Sequence, residues 1–439
     1  MATTETHYTQ TTPTDNNKWT FSCWFKKAAP SSEMSLFGAW SDGNNQSKCR
    51  LMTNGTIEFI EYQSSSTVGK LTTNRALRDP SAWMHIVCVY DSDNGTPADR
   101  MKMYINGVRE TSFSVDTNPS SGLASINNVS GRVMYVGRDF DGGYWQGCMS
   151  HVQFVDGAAL APTEFGSVDA TSGIWKIKTG CYATPGTNGF CLKMEDSTNL
   201  DLDSSSNAHT FTTSGTLTPT KDNPSNNFCT INPLWTDVGI FSGDGGTPDI
   251  SDGNLTGGKA SHCNYNGTFA TDTMKTYWEV YVNDTNQSMG VMGAAPTGGV
   301  TQGYADATYN AVYPYGSKLR TNGSEGSGGP VSTANSYYMF ALDPANNKMW
   351  YGRNGVWVGD PAAGTGATWT TLPAIELTPN THPMATSQNN NSYLNFGNGY
   401  FGTTAHGETN TDDAGIGLFK YDVPTGFYAL CTKNLKAYG

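Results

Sequence analysis

From Trp19 onward the chain alternates apolar and polar residues in short runs: WTFSCWFK (19–26), SLFGAW (35–40), CRLMTNGTIEFIEY (49–62), WMHIVCVY (83–90), MKMYINGVRE (101–110), VMYVG (133–137) and WQGCMSHVQFVDG (145–157). Successive side chains of a strand point to opposite faces, so a period of two reads as strands with one face buried. Turn residues separate the runs at regular intervals, and no window of ten or more residues keeps a 3.6-residue apolar period. Short strands in series without helices predict a jelly-roll β-sandwich. The second half repeats the texture in TYWEVYV (276–282), MGVMG (289–293), SYYMFALD (336–343), SYLNFG (392–397) and VPTGFYALCTKNL (423–435). Residues 1–18 are polar and Thr/Asn-rich and are expected to form an N-terminal arm, extended as a first strand or free for docking.

Two phrases resemble each other, KMYINGVRE at 102–110 and NKMWYGRNGVW at 347–357. Each runs an alternating strand into Asn-Gly, the pair that tolerates the positive φ needed at both central positions of a type I′ hairpin turn. Two hairpins of one style suggest two domains of one architecture, which suits 439 residues.

Composition sharpens this picture. The chain holds 50 Gly, 22 Tyr and 11 Trp with only 15% charged residues, a composition of strands and polar turns. The net charge of −12 is spread along the chain, and no Lys/Arg-rich block is interleaved with aromatics, so nucleic acid is not an expected partner. Neither a signal-peptide pattern nor an apolar stretch of ~20 residues is present, so no membrane insertion is expected. Nine cysteines without C-x-x-C, mostly inside apolar runs, read as buried free thiols of a reducing cytoplasm. Cys181 and Cys191 flank a turn and could bridge, but the compartment argues against it.

In order, WTFSCWFKK, LFGAW, AWMHIVCVYD, MYINGVRE and YVGRDFDGGYWQGCMSHVQFVDGAAL resemble the laminin-G/pentraxin-like branch of the concanavalin A-like lectin and glucanase superfamily, over about 19–160. PTEFGSVDATSGIWKIK (162–178) and the phrase at 186–233, which ends in NPSNNFCTINP, resemble the join found in virion proteins of tailed phages, especially marine ones. That resemblance implies that the GFCL piece returns as a strand of the first sandwich. The second half is similar to the SPRY domain at Tyr277-Trp278-Glu279-Val280, Leu342-Asp343, Asn354-Gly355, Pro383, Asn395-Phe396-Gly397 and the closing Pro424-x-Gly426-Phe427; it departs at 296–332, a Gly/Ser/Tyr-rich insertion. The expected fold is therefore all-β, with two concanavalin A-like jelly-roll β-sandwiches in tandem at 19–205 and 206–439 behind the arm 1–18.

Catalysis finds little support. Retaining and inverting glycosidases need two carboxylates flanking the scissile bond. Among eleven glutamates, Glu58 and Glu61 are three apart and fall on opposite faces of a strand, and Glu279 stands alone in YWEVYV. His85 and His151 lie within strand patterns and read as buried positions. No enzyme is expected. Sugar recognition needs aromatic faces beside Asp/Asn side chains, and the candidates are Trp40, Asp42 and Asn44; Asp139, Asp141, Tyr144 and Trp145; and Tyr304, Tyr309, Tyr313 and Tyr315. Laminin-G and pentraxin relatives often hold Ca²⁺ in rim loops, and Asp139 and Asp141 are the best candidates for it, ahead of the Asp42–Asn45 and Asp91–Asn94 loops. Turn formation and core packing are the competing roles for all of these residues.

The expectation that follows is a non-enzymatic virion protein of a tailed phage, assembled in the host cytoplasm. It would be a tail-fibre or receptor-binding component that meets host-surface glycans and other virion proteins, expected as a homo-oligomer. The alternative is a capsid or tail decoration protein whose sandwiches make only protein contacts.

Overall fold

The computed structural model describes residues 3–28, 32–234, 249–258, 263–285, 287–292, 309–313, 318–321, 324–327, 334–372, 382–387 and 390–439, which fall into two compact units, Met1–Pro219 and Thr220–Gly439. The fold is nearly all β, and strands pair antiparallel almost throughout.

In the first unit the larger sheet runs Phe113–Thr117, Ser66–Thr73, Ile57–Gln63, Asn45–Leu51, Met34–Asp42, Val133–Val136, Glu5–Thr9 and Thr212–Ser214. The smaller sheet runs Phe190–Leu192, Gly147–Asp156, Lys18–Lys27, Met84–Asp91, Met101–Ile105 and Val108–Arg109. Alternation carries Trp19, Phe21, Cys23 and Phe25 from the smaller sheet against Phe37, Cys49, Phe59 and Leu71 of the larger one, all buried in one core. Trp19 meets Phe37 at 5.7 Å and Phe59 at 5.6 Å, edge to face. The smaller sheet is also covered on its far side, where Val87, Val89, Val155 and Phe165 pack with Leu160 and Tyr182. The far side of the larger sheet is crossed instead by the loop 138–145, and that loop frames the site described below.

Of the two alternatives for residues 1–18 the structure shows the first strand and not the free arm: Glu5–Thr9 pairs with Val133–Val136 on one side and Thr212–Ser214 on the other, and Tyr8 is buried in the core. Two other expectations about this unit are corrected. The boundary lies at 219/220 and not at 205/206. Phe211 joins the first core and Thr212–Ser214 closes its sheet edge, so these residues cannot open the second unit. Cys181 and Cys191 form a disulfide, Cα–Cα 5.8 Å. The turn at Pro185–Gly186 docks on Asp156, whose N–H donates to the Pro185 carbonyl at 2.8 Å, and this folds the ten-residue loop back on itself. Cys23, Cys49, Cys88, Cys229 and Cys431 are buried and not disulfide-bonded. The GFCL piece does return as a strand, Phe190–Leu192, paired with Gly147–Asp156.

In the second unit one sheet runs Asp249–Ser251, Thr256–Gly258, Ser392–Asn395, Thr276–Val282, Ser336–Asp343, Lys348–Arg353 and Val356–Trp357, with Tyr428–Ala429 parallel to the start of Thr276–Val282. The other runs Cys263–Asn266, His382–Ser387, Met289–Met292, Tyr309–Tyr313, Lys318–Thr321 and Ser324–Ser327. Trp278, Val280, Phe340, Leu342 and Leu394 form the core between them. A second cluster, Tyr277, Met339, Trp350, Phe419 and Phe427, lies on the far side of the first sheet under the C-terminal segment. The run at 423–435 is not one strand, since only Tyr428–Ala429 pairs and Thr432–Tyr438 forms a short helix. Among the described residues no helix is long and apolar enough to cross a membrane.

Both Asn-Gly pairs adopt the expected turn, with φ of 48° and 78° at Asn106-Gly107 and 49° and 85° at Asn354-Gly355. Each Asn also ties its hairpin to the neighbouring strand. Asn106 Oδ1 accepts from the N–H of His85 at 2.8 Å, and Asn354 Oδ1 from that of Tyr337 at 2.9 Å.

Candidate carbohydrate-binding site

On the outer face of the larger sheet of the first unit, pairing aligns one row of residues across four strands: His7, Tyr135, Gly38 and Lys48. Gly38 leaves a gap in that row, and the loop 138–145 settles into it; a Cβ at Gly38 would stand 2.6 Å from the Arg138 carbonyl oxygen and 2.8 Å from Asp139 Cα. The bare backbone is what lets the loop lie across the sheet.

The loop delivers three groups. The Arg138 guanidinium lies over Trp40 (5.5 Å), Tyr135 (5.4 Å) and Tyr144 (5.2 Å) and pairs with Glu5 at 3.3 Å. Asp139, 1% exposed, accepts from Ser35 Oγ at 2.6 Å and from the Gly143 N–H at 2.9 Å. Asp141 pairs with Lys48 and lies 3.7 Å from Arg50. Beneath the loop Trp40 and Tyr135 stack at 4.3 Å and 9°, and His7 meets Tyr135 at 5.0 Å; all three rings are half-buried.

Beside these rings runs a charged strip. Arg50 holds Glu58 through two nitrogens, at 3.0 and 2.9 Å, and also pairs with Glu33, while Lys70 reaches Glu58 at 2.7 Å. Burial works against the Glu58 charge, but the Lys70 and Arg50 bonds outweigh it and hold the carboxyl below its ordinary value. The arrangement offers a half-buried stack of aromatic rings flanked by donors and acceptors, the residue types that meet the C–H face and the hydroxyls of a sugar ring.

The expected site residues separate into distinct roles. Trp40 and Tyr144 stand at the platform. Trp145 turns inward and meets Phe25 edge to face at 5.3 Å, so it packs with the core and is not free for stacking. Asp42 and Asn44 form the hairpin turn between Met34–Asp42 and Asn45–Leu51. Asp42 accepts from the Asn44 N–H at 2.7 Å and from Asn45 Nδ2, bonds that hold its carboxyl below the usual range, and Asn44 accepts from Ser65. Tyr309 and Tyr313 begin and end a strand, opposite Met292 and Lys318, and Tyr304 and Tyr315 lie outside the described residues. Tyr135, Arg138 and His7 were not anticipated. Tyr135 and Arg138 begin and end the YVGR of a quoted run, and the period-2 alternation alone places Tyr135 on the outward face.

The pair Asp139 and Asp141 does not fit Ca²⁺. The ion takes six to eight oxygen ligands, whereas Asp139 is already bonded to Ser35 and Gly143, with Lys48 Nζ 3.9 Å away, and Asp141 faces two cations. In the Asp91–Asn94 loop, Asp91 pairs with Lys18 at 3.6 Å and Asp93 accepts from Asn17. Among the described residues no group of three or more His, Cys, Asp and Glu is placed to hold a metal.

The carboxylates considered for catalysis are kept apart. Glu58 lies in the outer strip, while Glu61 is fully buried on the other face, accepting from Ser125 Oγ at 2.6 Å and the Ile126 N–H at 3.1 Å, with burial pushing it up to about 7. Glu279 is buried and accepts from Tyr277 Oη, Asn395 Nδ2 and the N–H groups of Lys420 and Tyr421. It anchors the C-terminal segment to the sheet. His85 is buried, and because Trp175 Nε1 donates to its Nδ1 at 3.1 Å, its Nε2 proton faces Ser22 Oγ at 2.8 Å.

A laminin-G family model, described as the concanavalin A-like lectin/glucanases superfamily, matches residues 3–164. These residues hold every element of the platform, so the site sits on a concanavalin A-like fold. No curated protein matches the chain. Among solved structures, the heptameric SAP-like pentraxin from Limulus polyphemus is 18% identical over 36% of this chain and 72% of its own, with a TM-score of 0.29. The SPRY domain of human HERC1 is 12% identical over 37% and 96%, TM-score 0.28. The CBM40 of the Ruminococcus gnavus IT-sialidase is 12% identical over 30% and 68%, TM-score 0.24. None of these likenesses bears on what the chain binds.

Proposed function

We propose that the chain is a non-enzymatic virion protein of a tailed phage, a tail-fibre or receptor-binding component that holds host-surface glycans on the outer face of its first sandwich. The observation that carries the glycan reading is the half-exposed Trp40–Tyr135 stack under Arg138, bordered by the Lys48, Arg50 and Glu58 strip. The virion assignment rests on the resemblance at 162–178 and 186–233. The Cys181–Cys191 disulfide agrees with a protein that works outside a reducing compartment. Absence of a facing carboxylate pair at Glu58 and Glu61 favours binding over hydrolysis.

A second reading, a capsid or tail decoration protein, is favoured by a different feature. Val108, Val168 and Ile174, 61–63% exposed, lie about Trp175, where the ribbon Gly166–Val168/Trp175–Ile177 offers apolar surface suited to a protein partner. Immunogold labelling of intact particles separates the two. Label at the tail tip supports the adhesion reading, and label confined to the capsid shell refutes it in favour of decoration.

A further inference from the structure

In the second unit the far side of the sheet is covered unevenly. Along Thr276–Val282 the outward positions are Tyr277, Glu279 and Tyr281; the first two are sealed under the C-terminal segment, and Tyr281 is half-exposed. Pairing sets Tyr281 opposite Tyr337 on one neighbouring strand and Tyr393 on the other, so three tyrosines form one row across three strands, with ring centres 4.6 and 5.7 Å apart. Phe401 supports the row, 5.0 Å from Tyr337 and 6.3 Å from Tyr281. At one end Lys420 Nζ lies 4.8 Å above the Tyr337 ring and 5.7 Å from Tyr421, and among the described residues it has no carboxylate partner. At the other end Asp252 is exposed beside Tyr393, both within about a van der Waals contact of the Gly402 site.

We infer that this tyrosine row is a second saccharide site, specific for uronate-containing polysaccharides. Rings in line give successive pyranose faces something to lie on, and two of their hydroxyls are held in place, Tyr281 Oη donating to Asn335 Oδ1 at 3.0 Å and Tyr393 Oη accepting from Asn391 Nδ2 at 3.3 Å. The unpaired Lys420 ammonium complements a uronate carboxylate at the Tyr337 end, and Asp252 accepts from sugar hydroxyls at the Tyr393 end. The backbone beneath is fixed, since the N–H groups of Lys420 and Tyr421 both bond Glu279. The site lies in a different unit from the Trp40 platform and stands or falls separately from it.

The test uses the full chain in affinity electrophoresis through gels containing polygalacturonate, alginate or hyaluronate, with methyl-esterified polygalacturonate as the uncharged control. The expected result is retardation by at least one uronate polymer, weakened about tenfold by Lys420→Gln and by Tyr281→Ala, and by esterification. Lys420→Gln keeps the backbone bond to Glu279, so it reports on the site even where Tyr281→Ala disturbs folding. Retardation by none of the three polymers, or binding by Lys420→Gln equal to that of the parent chain, overturns the inference.

Discussion

Replacing Gly38 by alanine tests how the platform is assembled. The added Cβ would meet the Arg138 carbonyl oxygen at 2.6 Å and Asp139 Cα at 2.8 Å, both backbone atoms that cannot rotate away. An ordinary contact needs about 3.5–4.0 Å, so the loop must lift by on the order of 1 Å. Such a shift stretches the bonds of Asp139 to Ser35 Oγ (2.6 Å) and Gly143 N (2.9 Å). Overpacking costs about 1–3 kcal/mol, and a buried carboxylate losing a partner about as much again, giving roughly 2–6 kcal/mol in all. For a unit of this size that is a fall in Tm on the order of 10 °C. Because Arg138 rides on the same loop, glycan binding should weaken together with stability. Differential scanning calorimetry with a parallel binding assay measures both. A Gly38→Ala chain that melts with the parent and binds equally would refute the account of how the loop is seated.

Further outcomes follow from buried groups elsewhere. Burial lowers the His85 pKa to about 3, so below the ordinary value of 6.5 the unfolded state takes up a proton that the folded state refuses. Stability should therefore fall with acid through this window by ~1.4 kcal/mol per pH unit, and urea titrations at pH 7 and pH 5 should differ less for His85→Gln than for the parent. Glu61, pushed up to about 7, acts with the opposite sign and loses stability as pH rises from 4.5 to 7; in Glu61→Gln that dependence should vanish. Reducing Cys181–Cys191 opens a ten-residue loop and should cost about 2–3 kcal/mol, seen as a lower urea midpoint in dithiothreitol.

Alternation in the sequence was enough to locate most strands, because burial of one face imposes period two on any sequence that pairs this way. The Asn-Gly turns were equally legible, since few other residues tolerate positive φ at both central positions. The site was only partly so. Trp40 reads as an outward aromatic, but its partner Tyr135 is distant in sequence and becomes a neighbour only through the Met34–Asp42/Val133–Val136 pairing. Asp139 looks like a ligand in the sequence and proves to be a buried brace, because the role of a carboxylate depends on the Ser35 and Lys48 groups brought to it by other strands. Gly38 gives no local sign of its importance, which comes from a loop about a hundred residues away. The Cys181–Cys191 bridge is not legible in the sequence, where the other thiols point to a reducing compartment; it depends on the docking of Pro185–Gly186 on Asp156, a contact distant in sequence.

The most direct test of the central claim is a glycan-array measurement of the full chain beside Trp40→Ala and Tyr135→Ala. The account predicts binding to a defined subset of surface glycans that drops about tenfold or more in either variant while the fold, followed by circular dichroism, is kept. No binding in an array on which a known lectin scores, or binding equally strong in both variants, would contradict it.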